Sequence, residues 1–341
     1  MANNIDIKFI AEKSGCSIAT VSRVMNRSKP VSEKLQKKVI DTIKKYNYNP
    51  SVHARYLAGK QSRLLGFIMT NYINQYQLLL FRYLNEFACR MGYGCIIRYC
   101  NSGFEEKLEV LRDLEIRGIE VCFSLFLVSR EEEAYIREHF RIKVCHMQSP
   151  EMHLNIMGKN ESSVYEAVRY LAQLGHRRIG GIFCIDEVDD SFLIARERGF
   201  LRAVSQMGLE QEEALIGRLH GECEKSCVIS VIEKIFVPPK LPTALFCYSD
   251  EVAIEVMSWL MKHGYRIPED VSVLSFDGIP FAERVTPSLS TISQPVEYQA
   301  KCIINGMLYL MDGIDRPRDE KENQYVLQIR ESVGIPYNSK N

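Results

Sequence analysis

The chain has 341 residues, enough at roughly 150 residues per domain for two or three domains with sizeable cores. Its 46% hydrophobic and 25% charged residues are those of an ordinary globular protein and exclude a disordered or fibrous one. Apolar runs such as Val121 to Val128 fall far short of the ~20 residues that a membrane span requires, and the eleven cysteines are scattered without the spacing of a disulfide scaffold. The amino terminus, MANNIDIKFIAEKSG, lacks a basic stretch followed by an apolar one. The expectation is therefore a reduced, cytoplasmic setting with no membrane partner.

A formal net charge of zero conceals an asymmetry. Residues 1–63 hold thirteen Lys and Arg against four acids, a net +9, so the rest of the chain carries −9. A basic head on an acidic body points to a polyanion as partner of the head alone. In chain order, Ile7, Ile10 and Ala11 share one helical face, Ser14-Gly15-Cys16 breaks the pattern, and Ser17 can cap a second helix whose Val21, Val24 and Met25 turn inward. Gly15 suits the left-handed turn between two short helices. That second helix leaves Ile18, Ala19, Ser22 and Arg23 outward near its amino end, where a recognition helix meets base edges and phosphates in the major groove. Ser32-Glu33 starts a third helix, with Leu35, Val39 and Ile43 closing a small all-α helix-turn-helix head.

From Leu64 onward, strand-like runs (Leu64–Met69, Cys95–Tyr99, Val121–Leu127, Val144–Met147, Ile179–Cys184, Ala244–Tyr248, Val271–Phe276) alternate with amphipathic stretches (Gln75–Met91, Glu105–Arg117, Glu161–Leu174, Arg196–Met207, Lys225–Ile235, Asp250–His263). The alternation predicts an α/β body of two parallel-sheet lobes. Common catalytic motifs and a phosphate-binding loop are missing, and His220-x-x-Cys223-x-x-x-Cys227 offers three zinc-type ligands with no fourth nearby. No enzyme, cofactor or metal site is expected.

Ile10-Ala11, the run Gly15 to Asn26, Tyr48-Asn49-Pro50 and Ala54-Arg55-Tyr56-Leu57-Ala58-Gly59 together resemble the DNA-binding signature and hinge of the LacI/GalR transcription regulators. The resemblance continues in Leu174-Gly175-His176-Arg177-Arg178-Ile179, Ile267 to Val273, Ser275 to Pro280 and Ile329 to Ser332. It implies a body of two Rossmann-like lobes similar to a type I periplasmic binding protein. Domains follow as 1–49 (head), 50–62 (hinge helix and linker), 63–160 plus 292–322 (first lobe) and 161–291 plus 323–341 (second lobe). The implied function is a sequence-specific DNA-binding regulator, a repressor, acting as a homodimer on a pseudo-palindromic operator in double-stranded DNA. A small effector, a sugar or related metabolite, is expected in the cleft between the lobes. The implied DNA contacts are Ser17, Ile18, Ala19, Thr20, Ser22, Arg23 and Asn26 in the head and Ala54, Leu57 and Lys60 in the hinge, with Leu57 as the apolar wedge that kinks the duplex. The implied effector residues are Arg196, Asp277, Ser249 and Gln148; an Arg fork and a carboxylate clamp vicinal hydroxyls or a heterocycle edge from two sides. Ser249 and Gln148 stand where the family often has Asn and Asp, which moves the cleft away from ordinary sugars. Two other readings are a regulator governed by a protein partner and a solute-binding α/β protein with an incidental basic head.

Overall fold

The computed structural model describes residues 6–26, 30–46, 48, 62–70, 74–101, 103–125, 129–147, 158–185, 192–220, 225–317 and 319–337. The chain divides into two compact units, Met1–Arg63 with Ile116–Gly118, and Leu64–Glu115 with Ile119–Asn341.

The first unit is helical. Asp6 caps α1 (Ile7–Ser14) by accepting the Phe9 amide at 2.8 Å, and Gly15, at φ +63°, ends the helix with its amide turned back to Ala11 and Glu12. Ser17 starts α2 (Ile18–Asn26), its Oγ accepting the Thr20 amide at 3.2 Å. The third helix, α3 (Glu33–Lys45), carries Lys44 and Lys45 in its last turn, where cations oppose the helix dipole favourably. Ile10, Ala11, Val21, Val24 and Val39 form the buried centre, with Met25 and Ile43 packed on it, while Leu35 stays half-buried at the side. Phe9 and Tyr46 add an edge-to-face pair at 5.1 Å.

The second unit holds two sheets. In the first lobe, β1 (Leu64–Thr70), β2 (Gly94–Cys100), β3 (Val121–Ser124) and β4 (Lys143–His146) lie in the order β2-β1-β3-β4, all parallel. They are connected by α4 (Gln75–Arg90), α5 (Phe104–Ile116) and α6 (Arg130–His139). Capping boxes Asn74/Gln77 and Ser129/Glu132 open α4 and α6. In the second lobe, α7 (Asn160–Gln173), β5 (Ile179–Ile185), α8 (Phe192–Gln206), β6 (Ile216–His220), α9 (Lys225–Ile235), β7 (Ala244–Cys247), α10 (Asp250–Lys262), β8 (Ser272–Asp277) and β9 (Ser290–Ser293) follow in turn. After β9 the chain returns to the first lobe as α11 (Val296–Asp312), which packs on α4 and β3, and comes back as β10 (Val326–Gln328). The six-stranded sheet runs β10-β9-β8-β7-β5-β6 and is parallel except for β10, which is antiparallel to β9.

Several elements depart from the sequence reading. The strand expected over Val121–Leu127 ends at Ser124. The elements β6, α6, β9, α11 and β10 were not anticipated. Buried residues of both lobes, from Leu65 and Phe67 to Leu245 and Ile303, form one continuous apolar cluster. The lobes are therefore packed against each other rather than merely tethered.

Candidate functional site

On the head, the core pattern of α2 decides what faces outward. Val21 and Val24 are buried, while Ser17, Ile18, Ala19 and Arg23 are exposed, Ile18 by 43%. Thr20 and Ser22 are half-buried, and the Ser17 and Thr20 hydroxyls lie 2.9 Å apart. An exposed isoleucine beside an exposed arginine gains nothing by folding alone; it fits a surface that reads methyl groups and base edges. The Asn26 side chain, and all of Ala54, Leu57 and Lys60, lie outside the described residues.

In the body, the carboxyl ends of the parallel strands lie along one edge of the sheet, where an open α/β sheet places its ligands, and Arg196 and Asp277 meet there. Asp277 is the last residue of β8, and Arg196 lies in the first turns of α8. They meet at 3.5 Å, with side chains 3% and 7% exposed. The sheet and its neighbours hold Arg196 from several sides. Its Nε donates to Asn160 Oδ1 at 2.9 Å and its Nη1 to the Tyr248 carbonyl at 2.6 Å, while its guanidinium stacks 3.8 Å above the Phe276 ring. Asp277 Oδ1 also accepts from Gln294 Nε2 at 2.8 Å. Burial pushes the Asp277 carboxyl above the usual carboxylate range against the opposing pull of Arg196.

The backbone at this point is unusual. Asp277 has φ +125°, a region that non-glycine residues avoid, and Gly278 follows at φ +75° with no room for a side chain, since a Cβ there would lie 2.2 Å from Ser293 Oγ. A second buried carboxylate anchors the turn. Asp250 accepts from Ser275 Oγ at 2.6 Å, from Thr291 Oγ1 at 2.5 Å and from the Ile279 amide at 2.7 Å. Strain of roughly 1–3 kcal/mol held by such an anchor is typical of a position whose side chain must point one way for a purpose.

Of the four expected effector residues, Arg196 and Asp277 are together, and both belong to the second lobe. Ser249 follows Tyr248, but its Oγ caps α10, accepting the Val252 amide at 3.4 Å. Gln148 lies outside the described residues. The sequence reading missed Asn160, Gln294 and three further residues around them. Gln299 is fully buried on α11; its Oε1 accepts from Tyr76 OH at 2.8 Å, and its Nε2 donates to Gln294 Oε1 at 3.2 Å and to Tyr325 OH at 3.1 Å. No sequence signal marks Gln299: it stands among Glu297, Tyr298 and Lys301, and only the fold supplies the partners that a buried amide needs.

Comparison with known proteins agrees with both halves. The profile of bacterial regulatory proteins of the lacI family matches residues 6–51, and that of a periplasmic binding protein-like domain matches residues 168–333. The chain is 31% identical over 340 residues to the HTH-type transcriptional repressor PurR of Vibrio cholerae serotype O1 (strain M66-2), spanning 96% of each chain. It is 28% identical over 340 residues to the probable HTH-type transcriptional repressor ExuR of Bacillus subtilis (strain 168), spanning 96% of this chain and 98% of that one. Among solved structures, the lac repressor dimer bound to operator and the anti-inducer ONPF has the same fold, with a TM-score of 0.76 at 20% identity over 96% of this chain and 98% of that one.

Proposed function

The chain belongs to the lacI family of bacterial regulatory proteins, and from that premise we propose that it is a sequence-specific DNA-binding transcriptional repressor whose hold on its operator is set by a small molecule in the cleft. The observation that carries the first half is the outward face of α2, with Ile18, Ala19 and Arg23 exposed on a unit of net positive charge. In this reading α2 lies in the major groove with Ser17, Ile18, Ala19, Thr20, Ser22, Arg23 and Asn26 against DNA. Ala54, Leu57 and Lys60 form the hinge at the minor groove. The functional domains are 1–49, 50–62, 63–160 plus 292–322, and 161–291 plus 323–341. A two-fold operator calls for a two-fold homodimer.

For the cleft, the buried Arg196–Asp277 pair on a strained turn at the strand ends supports an effector site, to which this reading also assigns Ser249 and Gln148. An effector acts by binding one lobe arrangement more tightly than another, which shifts the population competent for DNA. The chemistry of a guanidinium beside a carboxylate suits a ligand that offers both an acceptor and a donor on one edge, such as a sugar or a purine.

A thermal-shift screen tests this reading. Sugars, sugar phosphates, nucleosides and purines are each added at about a hundred times the dissociation constant, where a true effector stabilises the body by about 2.7 kcal/mol. The expected result is at least one compound that raises the melting temperature and changes operator affinity, with both effects lost in Asp277→Asn. A screen in which no compound moves either quantity favours control by a protein partner.

A further inference from the structure

The polar residues around Arg196 and Asp277 form a closed circuit. Arg196 donates to Asn160, whose side chain hydrogen-bonds the Tyr325 hydroxyl; Tyr325 accepts from Gln299, Gln299 donates to Gln294, and Gln294 donates to Asp277, which meets Arg196 again. One branch leaves the circuit. Tyr76, in the first turn of α4 in the first lobe, donates to Gln299 Oε1. Along the route Tyr76, Gln299, Gln294, Asp277, every donor points the same way and the last acceptor is a carboxylate oxygen. Hydrogen bonds aligned in this sense polarise one another, and the most strongly accepting group sets the strength of the whole chain.

We infer that Gln299 is a positioning residue that carries the state of the Arg196–Asp277 site to the start of α4 in the first lobe. A ligand that engages Asp277 Oδ1 competes with Gln294 for that oxygen, weakens the bonds upstream of it and frees Tyr76. The start of α4 also touches the second lobe directly, because the Gln75 amide donates to Glu251 Oε1 on α10 at 2.8 Å. Relaxing Tyr76 therefore loosens the contact next to it that holds the lobes together. Gln299 is suited to this relay: a buried amide accepts at one end and donates at the other, and no other uncharged side chain of its length does both.

The inference rests on the proposed effector site, yet its test needs no effector. Failure to find a ligand would count against the site alone, whereas hydrogen exchange at Gln75 judges the relay. In the full chain at pH 8, where Asp277 is ionised despite its burial, Asp277→Asn turns the terminal charge-assisted bond into a neutral one and is expected to speed exchange of the Gln75 amide about fivefold. In Gln299→Leu, the same Asp277→Asn change should leave that rate unaltered. Tyr76→Phe removes one hydroxyl, leaves every buried amide in place and should also abolish the transmitted effect, so the test survives if Gln299→Leu fails to fold. An unchanged Gln75 rate in Asp277→Asn alone, or an equal acceleration with and without the Tyr76–Gln299 link, overturns the relay.

Discussion

Replacing Arg196 with alanine is expected to destabilise the body by about 3–5 kcal/mol, the cost of leaving a buried charge without its partner. The change removes the cation beside Asp277, takes a donor away from Asn160 Oδ1 and from the Tyr248 carbonyl, and empties the space above the Phe276 ring. Its pH dependence distinguishes this cause from a mere cavity. Because burial raises the folded pKa of Asp277 above its unfolded value, the protonated carboxyl is the form that folding favours. The stability linked to this group is therefore fully present at pH values below the ordinary carboxylate range and is lost as pH rises through the folded pKa. Without Arg196 the carboxyl is pushed higher still. Urea unfolding should then show a deficit in Arg196→Ala that is large at pH 8 and shrinks at pH 5, and Arg196→Ala with Asp277→Asn should recover much of it at pH 8. A deficit independent of pH would mean that packing against Phe276, not the charge, is what Arg196 contributes.

The second large effect is expected at Gly199, where α8 crosses α7. A Cβ there would lie 2.2 Å from the Glu161 carbonyl oxygen and 3.0 Å from its carbon, and both are backbone atoms that cannot swing aside. Gly199→Ala must part the two helices, at a cost of about 1–3 kcal/mol or more from overpacking. The damage reaches the cleft, because Asn160 starts α7 one residue before Glu161, and Arg196 precedes Gly199 by three positions on α8. Calorimetry should show a lowered melting temperature, and any effector found by the screen should bind more weakly. A variant with the melting temperature and effector affinity of the parent would show that the helices can separate without cost.

How far these features could be read in advance depended on the local chemistry. The outward face of α2 was legible because Val21 and Val24 recur at helical spacing after a capping serine, and those are the residues the core takes. The strand β9, Ser-Thr-Ile-Ser, was not, because its Ser290 and Thr291 are buried polar residues whose partners, Ser332 and Asp250, lie far along the chain. Hydrophobic alternation cannot find a strand whose buried side chains are hydroxyls. In α6 the charged sequence Arg-Glu-Glu-Glu hid the helix, although Ser129 and Glu132 carry the capping-box spacing that marks its start. Arg196 and Asp277 came from the family resemblance rather than from spacing, since 81 positions separate them in the chain and only the fold joins them. Gln299, Tyr76 and Tyr325 were missed for the same reason: each is ordinary in sequence and acquires a role only through partners supplied by other elements.

A salt titration of operator binding tests whether the head reads a DNA sequence. Duplexes selected by the protein from a random pool should converge on a two-fold sequence. The affinity of the full chain for that sequence should fall with log salt by roughly 0.9 log units for each phosphate contacted, and Arg23→Ala should weaken it at every salt concentration. Selection that returns no sequence above random DNA, or binding that is flat between low and physiological salt, would contradict the account.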